Sequence, residues 1–184
     1  MTVDTRYLDR LISKLELAPH PEGGLYRQTY RSEECILRFS TGQGRVERRA
    51  STAIYYLLHD DDHSAWHRID ADEMWHFYLG DPLFIHVLDP HGELVTHILG
   101  NTLEQPDGAF QVLVPAGHWF AAERTGPRGF SLAGCTVAPG FEFDSFELAD
   151  IGELQSRYPR HAALLLRLKQ RDHAMHEATA PRHG

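Results

Sequence analysis

Short runs rich in aromatic and β-branched residues, each closed by turn-forming residues, succeed one another from Ser51 to Gly140, and no other feature limits the fold as tightly. The runs occupy residues 52–59, 65–68, 73–79, 83–88, 94–99, 110–114, 118–123 and 130–137. Asp89-Pro90-His91-Gly92, Gly100-Asn101, Pro115-Ala116-Gly117 and Pro139-Gly140 separate several of them. With a further strand at residues 25–30 there are about nine, at a spacing of roughly eight to twelve residues. That rhythm belongs to an antiparallel sandwich or barrel, because βαβ units would need helical stretches between strands.

The ends of the chain carry a different period. Tyr7, Leu8, Leu11, Ile12 and Leu15 recur as one face of a helix over residues 5–16, with Asp4 or Thr5 as N-cap and Pro19 and Pro21 beyond its end. His20-Pro21-Glu22-Gly23-Gly24 is a turn that leads into a strand on which Tyr26, Gln28 and Tyr30 share a face. Residues 40–49, with Gly42, Gly44 and several charges, read as a mobile surface loop. Residues 151–158 and 161–168 read as short helices separated by Pro159. Residues 1–169 are thus expected to form one domain, with the barrel at about 22–147 and helices at about 150–168. The tail, residues 170–184, which contains His173, His176 and His183, is expected to be disordered.

A length of 184 residues, 42% of them hydrophobic, suffices for one well-buried core. The formal charge of −8 argues against a nucleic-acid partner, whose backbone selects clustered Lys and Arg. Cys35 and Cys135 stand a hundred positions apart and form neither a metal-type spacing nor a disulfide framework. They read as reduced thiols, with Cys135 in the core. No secretory apolar segment opens the sequence and no run of eighteen apolar residues occurs, so a soluble, cytoplasmic protein without a membrane partner is expected.

Chemistry concentrates at residues 67–80, where His67, a polar turn from Ile69 to Asp72, Glu73 and an aromatic strand stand in a row before Gly80. If the turn sets His67 and Glu73 on neighbouring antiparallel strands facing one way, an imidazole and a carboxylate share a pocket. Such a pair can bind a metal or move a proton.

His67 and Glu73 followed by Gly80 resemble the first motif of the cupin superfamily, and Pro115-Ala116-Gly117 resembles the start of the second. His20-Pro21-Glu22-Gly23-Gly24, Asp72-Glu73-Met74-Trp75-His76-Phe77, Val114-Pro115-Ala116-Gly117-His118-Trp119 and Ala138-Pro139-Gly140-Phe141-Glu142-Phe143 sharpen the likeness. Together they resemble the cupin subfamily catalogued as domain of unknown function 985, over roughly residues 8–150. The resemblance implies an all-β fold, a double-stranded β-helix or jelly-roll barrel with short flanking helices at both termini, and a homodimer. It implies no settled reaction, since fold alone does not supply one.

Against the metal-binding members of that superfamily the chain departs at two positions: Ile69 stands where the second histidine of His-x-His would be, and Phe120 where the second motif supplies another. No cofactor is therefore expected to be required. A divalent metal held weakly by His67 and Glu73 is the lesser alternative.

The superfamily's deoxysugar-nucleotide epimerases work without metal, with a histidine base and a tyrosine acid. On that likeness His67 is the base and Glu73 orients the imidazole or takes the second proton, while Tyr26, Tyr30 or Tyr78 is the acid. Trp75, Phe77 and Phe120 would line the pocket for a sugar or nucleotide-linked metabolite, with Tyr26, Gln28 and His86 as further ligand contacts and Glu22 as a marginal one. The leading expectation is thus a metal-independent epimerase- or isomerase-like enzyme acting on a small molecule. The alternatives are a metal-dependent cupin oxygenase or isomerase, and a barrel that holds a metabolite without converting it, in which His67 and Glu73 satisfy only each other.

Overall fold

The computed structural model describes residues 5–40, 44–126 and 129–171. Helix α1 (Thr5–Leu15) leads to β1 (Ala18–Pro19), β2 (Leu25–Arg31), β3 (Cys35–Ser40), β4 (Gly44–Arg49), β5 (Thr52–His59), β6 (His63–Arg68) and β7 (Asp72–Gly80). There follow β8 (Leu83–Leu88), β9 (Leu94–Leu99), β10 (Gly108–Ala109), β11 (Gln111–Val114), β12 (Trp119–Arg124), β13 (Phe130–Ala138) and β14 (Glu147–Leu148). Helices α2 (Ile151–Arg157) and α3 (Ala162–Arg167) close the described chain.

Two six-stranded sheets, ordered β1-β2-β5-β13-β7-β11 and β10-β9-β8-β12-β6-β14, face each other as the walls of a double-stranded β-helix. Alternation along each strand sends one set of side chains between them. Tyr56, Trp75, Ile85, Val114 and Phe120 meet there, each at most 1% exposed. Gly80, which ends β7, has φ +96, and a Cβ on it would fall 2.1 Å from the Phe130 carbonyl oxygen, so only glycine lets β7 and β13 close together here.

The helices cover the outer faces. Leu8, Leu11, Ile12 and Leu15 of α1 pack on Leu57, Phe130 and Leu132. At the other end Leu154, Tyr158, Leu165 and Leu168 close over Trp66, Leu88 and Trp119, and Asp150 caps α2 by accepting a hydrogen bond from the Glu153 amide. The alternative cap Asp4 lies outside the described residues, as do residues 172–184 of the expected disordered tail. Of the tail's first two residues, Gln170 donates to the Pro21 carbonyl at 2.9 Å and Arg171 to the Asp61 carbonyl, so the chain is tied down this far.

Residues 40–49 are not a mobile loop over their described part: β3 and β4 pair in register from Cys35↔Arg49 to Ser40↔Gly44. The charges that suggest a loop decorate this hairpin and anchor it. Arg48, 7% exposed, donates through both Nη atoms to the Asp70 carboxylate at 3.2 and 3.1 Å, and also to Ser145 Oγ and the Gly140 carbonyl. Arg38 reaches the same turn, donating to the Asp70 carbonyl. Three segments distant in sequence are thereby pinned at one end of the barrel.

Candidate functional site

The turn from Ile69 to Asp72 does not make a hairpin. It carries the chain from one sheet to the other: β6 pairs with β12 and β14, whereas β7 pairs with β13 and β11. His67 and Glu73 therefore look into the barrel from facing walls, not from neighbouring strands as the sequence suggests. Both line a cavity of about 250 Å³, together with His20, Glu22, Tyr26 and Gln28.

The partner of His67 is Glu22. Its ring is 2% exposed, Nδ1 lies 2.7 Å from the Ala65 carbonyl, and Nε2 lies 3.0 Å from Glu22 Oε2. A carbonyl oxygen only accepts, so the proton sits on Nδ1 and Nε2 presents a lone pair to the carboxyl. Burial lowers the His67 pKa to about 4, and burial raises that of Glu22. With Nδ1–H given to the Ala65 carbonyl, the contact needs a proton between Nε2 and the carboxyl, and the two opposite shifts favour Glu22 as its carrier, its O–H donating to Nε2. Glu22 Oε1 in turn accepts from Ser64 Oγ at 2.9 Å.

The turn His20-Pro21-Glu22-Gly23-Gly24 is what delivers this carboxyl. β1 and β2 clasp its ends, Ala65 N–H donates to the Glu22 carbonyl at 2.8 Å, and Tyr56 Oη donates to the Gly23 carbonyl at 2.7 Å. Gly23 has φ +113, and a Cβ there would stand 2.2 Å from the His63 carbonyl oxygen. His20 sits beside the pair with its Nδ1 accepting from the Glu22 amide at 3.4 Å, and burial lowers its pKa too. Its ring meets Tyr26 edge-on at 4.5 Å and stacks towards Phe143 at 6.2 Å.

Glu73 faces this group from β7, 7% exposed. Burial first, then the charge that Glu22 carries when ionised, raises its pKa to about 8, against which the Cys135 thiol pulls by hydrogen-bonding to it. Burial and Glu73 hold that thiol well above the usual range. At neutral pH the site therefore stores a proton on Glu73 and another in the Glu22–His67 contact, and both imidazoles are uncharged.

Other candidates lie elsewhere. A bulge between Gln28 and Tyr30 reverses the parity of β2, so Tyr26, Gln28 and Arg31 oppose Tyr56, Ile54 and Thr52 inside, while Tyr30 opposes Ala53 and is 53% exposed. Tyr78 lies on the outer face across Gly134, edge-on to Tyr55. Of the three candidate tyrosines only Tyr26 reaches the cavity. Trp75, Phe77 and Phe120 pack behind it in the core, with Phe120 4.0 Å from the His67 ring. The aromatic wall comes instead from Tyr26, Phe141 and Phe143. His86 is on the outer face under the C-terminal helices, held by Thr96 Oγ1 at 2.8 Å and by Glu123 at 3.0 Å, the latter also gripped by Arg167. His76 points outward to Thr136 and Gln111, as alternation from Glu73 requires.

Residues 9–149 match the family described as Cupin superfamily (DUF985). The chain belongs to this family. A solved structure from Shewanella oneidensis, protein SO0799, is 40% identical, with 94% of this chain and 99% of that one aligned and a TM-score of 0.78. A hypothetical protein from Leishmania major is 31% identical over 89% of this chain and 98% of its own, also with a TM-score of 0.78. A cupin-2 domain protein from Rhodospirillum rubrum, Rru_A2000, shares the fold at 13% identity, 82% coverage of both chains and a TM-score of 0.51. Among curated proteins none matches.

The residues present do not fit the four-ligand metal set of the metal-binding cupins. Ile69 and Phe120, 5% and 0% exposed, fill two of its positions, and His67 Nε2 is turned to Glu22. Among the described residues no three His, Cys, Asp or Glu side chains are grouped to hold a metal ion, and no helix is long and apolar enough to cross a membrane.

Proposed function

We propose that the protein is a small-molecule cupin enzyme that moves protons on a sugar-derived metabolite in an epimerase- or isomerase-type reaction, without a metal. The observation that carries this reading is a buried Glu73, its pKa raised to about 8, facing the Glu22–His67 pair across one cavity. General acid–base catalysis works best when one group titrates near the operating pH. Glu73 does so, whereas His67 Nε2 is already engaged by a proton.

The roles therefore differ from those of a lone histidine base. Ionised Glu73 takes the proton from the carbon beside the carbonyl, and the proton held between Glu22 and His67 goes to the carbonyl oxygen as charge develops there. Glu73 then returns its proton to the adjacent carbon in an isomerisation, or to the other face of the same carbon, once the intermediate has turned, in an epimerisation. In each case an enol hydroxyl gives its proton back to the Glu22–His67 contact as the carbonyl re-forms. Tyr26, which lines the cavity, orients the ligand in this reading. Sites for drug-sized ligands span ~300–1,000 Å³. At about 250 Å³ the cavity suits a monosaccharide-sized molecule, and of a nucleotide-linked sugar only the sugar would enter.

Incubation with aldoses, ketoses and their acid and phosphate derivatives in D2O tests this. The expected result is deuterium appearing at the carbon next to the carbonyl, faster as pH rises towards 8, and lost in Glu73→Gln and His67→Gln. Folded variants that exchange as fast as wild type refute it. A ligand recovered unlabelled and unchanged after long incubation supports a non-catalytic barrel instead. From the family likeness and the net charge of −8 we further take the working form to be a cytoplasmic homodimer without nucleic-acid partners; a monomer mass by light scattering overturns the dimer.

A further inference from the structure

We propose that Arg31 anchors an oxyanion, a carboxylate or a phosphate, carried by the ligand of this cavity, and that Glu142 competes for the same guanidinium and so latches the cavity mouth. For the carbonyl end of the ligand this rests on the proton-transfer reading above. For the anionic end it rests on the mouth alone.

Arg31 is the one arginine or lysine among the residues lining the cavity. It faces inward only because of the bulge between Gln28 and Tyr30; regular alternation would have placed Tyr30 there and sent Arg31 outside. The guanidinium is at the rim, its side chain 41% exposed, and it donates to Glu142 Oε1 through one nitrogen at 2.7 Å. A guanidinium can grip a planar oxyanion through two parallel bonds, so this single-nitrogen contact leaves room for a better acceptor.

Glu142 stands between Phe141 and Phe143, which form the aromatic wall of the mouth. Its segment is fastened on either side, through the Gly140 carbonyl and Ser145, to Arg48. The Glu142 side chain, 34% exposed, is thus free to release Arg31 without disturbing the barrel. An anion arriving at Arg31 would also meet little repulsion from below, because Glu73 and Glu22 are both pushed towards their protonated forms by burial. The cavity therefore recognises a molecule with a carbonyl at its inner end and a negative charge at its outer end, the pattern of a sugar acid or sugar phosphate.

Calorimetric titration of the full chain with acetate and with inorganic phosphate tests this on wild type, Arg31→Gln and Glu142→Gln. Both side chains are partly exposed, and such pairs add little to folding, so both variants should remain folded. Removing the internal competitor in Glu142→Gln is expected to tighten anion binding about tenfold, and Arg31→Gln to weaken it about tenfold or more. Preference for phosphate assigns a phosphate ester and preference for acetate a carboxylate. Unchanged affinity in Arg31→Gln, no tightening in Glu142→Gln, or no saturable binding up to ~10 mM in wild type and Glu142→Gln alike overturns the proposal. Proton transfer fails on exchange of Glu73 or His67, and anion anchoring on exchange of Arg31, so the two fail separately.

Discussion

Replacing Glu73 by Gln should remove the Glu73 share of a fall in stability that the wild-type protein shows between pH 6.5 and 8. Gln has the shape of the protonated acid but cannot ionise. In the folded protein burial raises the Glu73 pKa from its ordinary 4.5 to about 8. Between those values the folded state holds a proton that the unfolded state has released, so stability decreases as pH rises, by about 1.4 kcal/mol per unit. His67 has the opposite sign. Its folded pKa, about 4, lies below the ordinary 6.5, so it favours the folded state increasingly as pH rises through that interval.

The two opposing slopes nearly cancel from about 4.5 to 6.5, and from 6.5 to 8 the Glu73 slope is no longer offset by His67; Glu22, also raised by burial, acts in the same direction as Glu73 but is present in the variant too. One and a half pH units at about 1.4 kcal/mol each predict that Glu73 accounts for a loss of about 2 kcal/mol in wild type across that window. Urea unfolding at half-unit pH steps from 5 to 8.5 reads it directly. The expected result is that the difference between Glu73→Gln and wild type grows by about 2 kcal/mol in the variant's favour from pH 6.5 to 8. Curves that stay parallel within about 0.5 kcal/mol would show that Glu73 ionises at an ordinary pH and refute the reasoning.

Other outcomes follow from the same geometry. Gly23→Ala puts a methyl group 2.2 Å from the His63 carbonyl at a φ of +113 and should cost about 2–4 kcal/mol in urea unfolding, whereas a loss below about 0.5 would mean that the turn can shift freely. Arg48→Lys keeps the charge but not the fork that holds Asp70, Gly140 and Ser145 together. It should lose about 2 kcal/mol or more, and wild-type stability would deny the clamp its structural role. Dialysis against a chelator should leave both the melting temperature and any deuterium exchange unchanged, while loss of either that added Zn²⁺, Mn²⁺ or Fe²⁺ restores would contradict the metal-independent reading.

Much of the fold is legible in the sequence because its signals are local. Turn residues at Asp89-Pro90, Pro115-Ala116-Gly117 and Pro139-Gly140 mark strand ends, and the period of Leu8, Leu11, Ile12 and Leu15 marks α1. The β3–β4 hairpin is hidden because its charged residues earn their place through Asp70 and Gly140, contacts invisible from within the segment. Site partners fail for the same reason. His67 and Glu73 are neighbours in sequence but sit on different sheets, whereas Glu22, 45 positions upstream of His67, is folded onto it by a two-glycine turn. Parity places Glu73, Trp75 and His76 correctly, yet misassigns Tyr30 and Arg31, since one extra residue in β2 inverts every side chain beyond it. His20, Phe141 and Phe143 belong to motifs noticed in the sequence, but only the packing of those motifs around the mouth reveals them as lining.

The claim on which the chemistry depends is the proton inventory of the cavity at neutral pH. It can be read by NMR on protein labelled with ¹³C at glutamate carboxyls and ¹⁵N at histidine, with Glu73→Gln and His67→Gln supplying the assignments. The expected result is that the Glu73 carboxyl titrates near pH 8 and that His67 is neutral at pH 7, with its proton on Nδ1 and imidazolium forming only near pH 4. A Glu73 carboxyl already ionised at pH 6, together with a His67 imidazolium at pH 7, would contradict it.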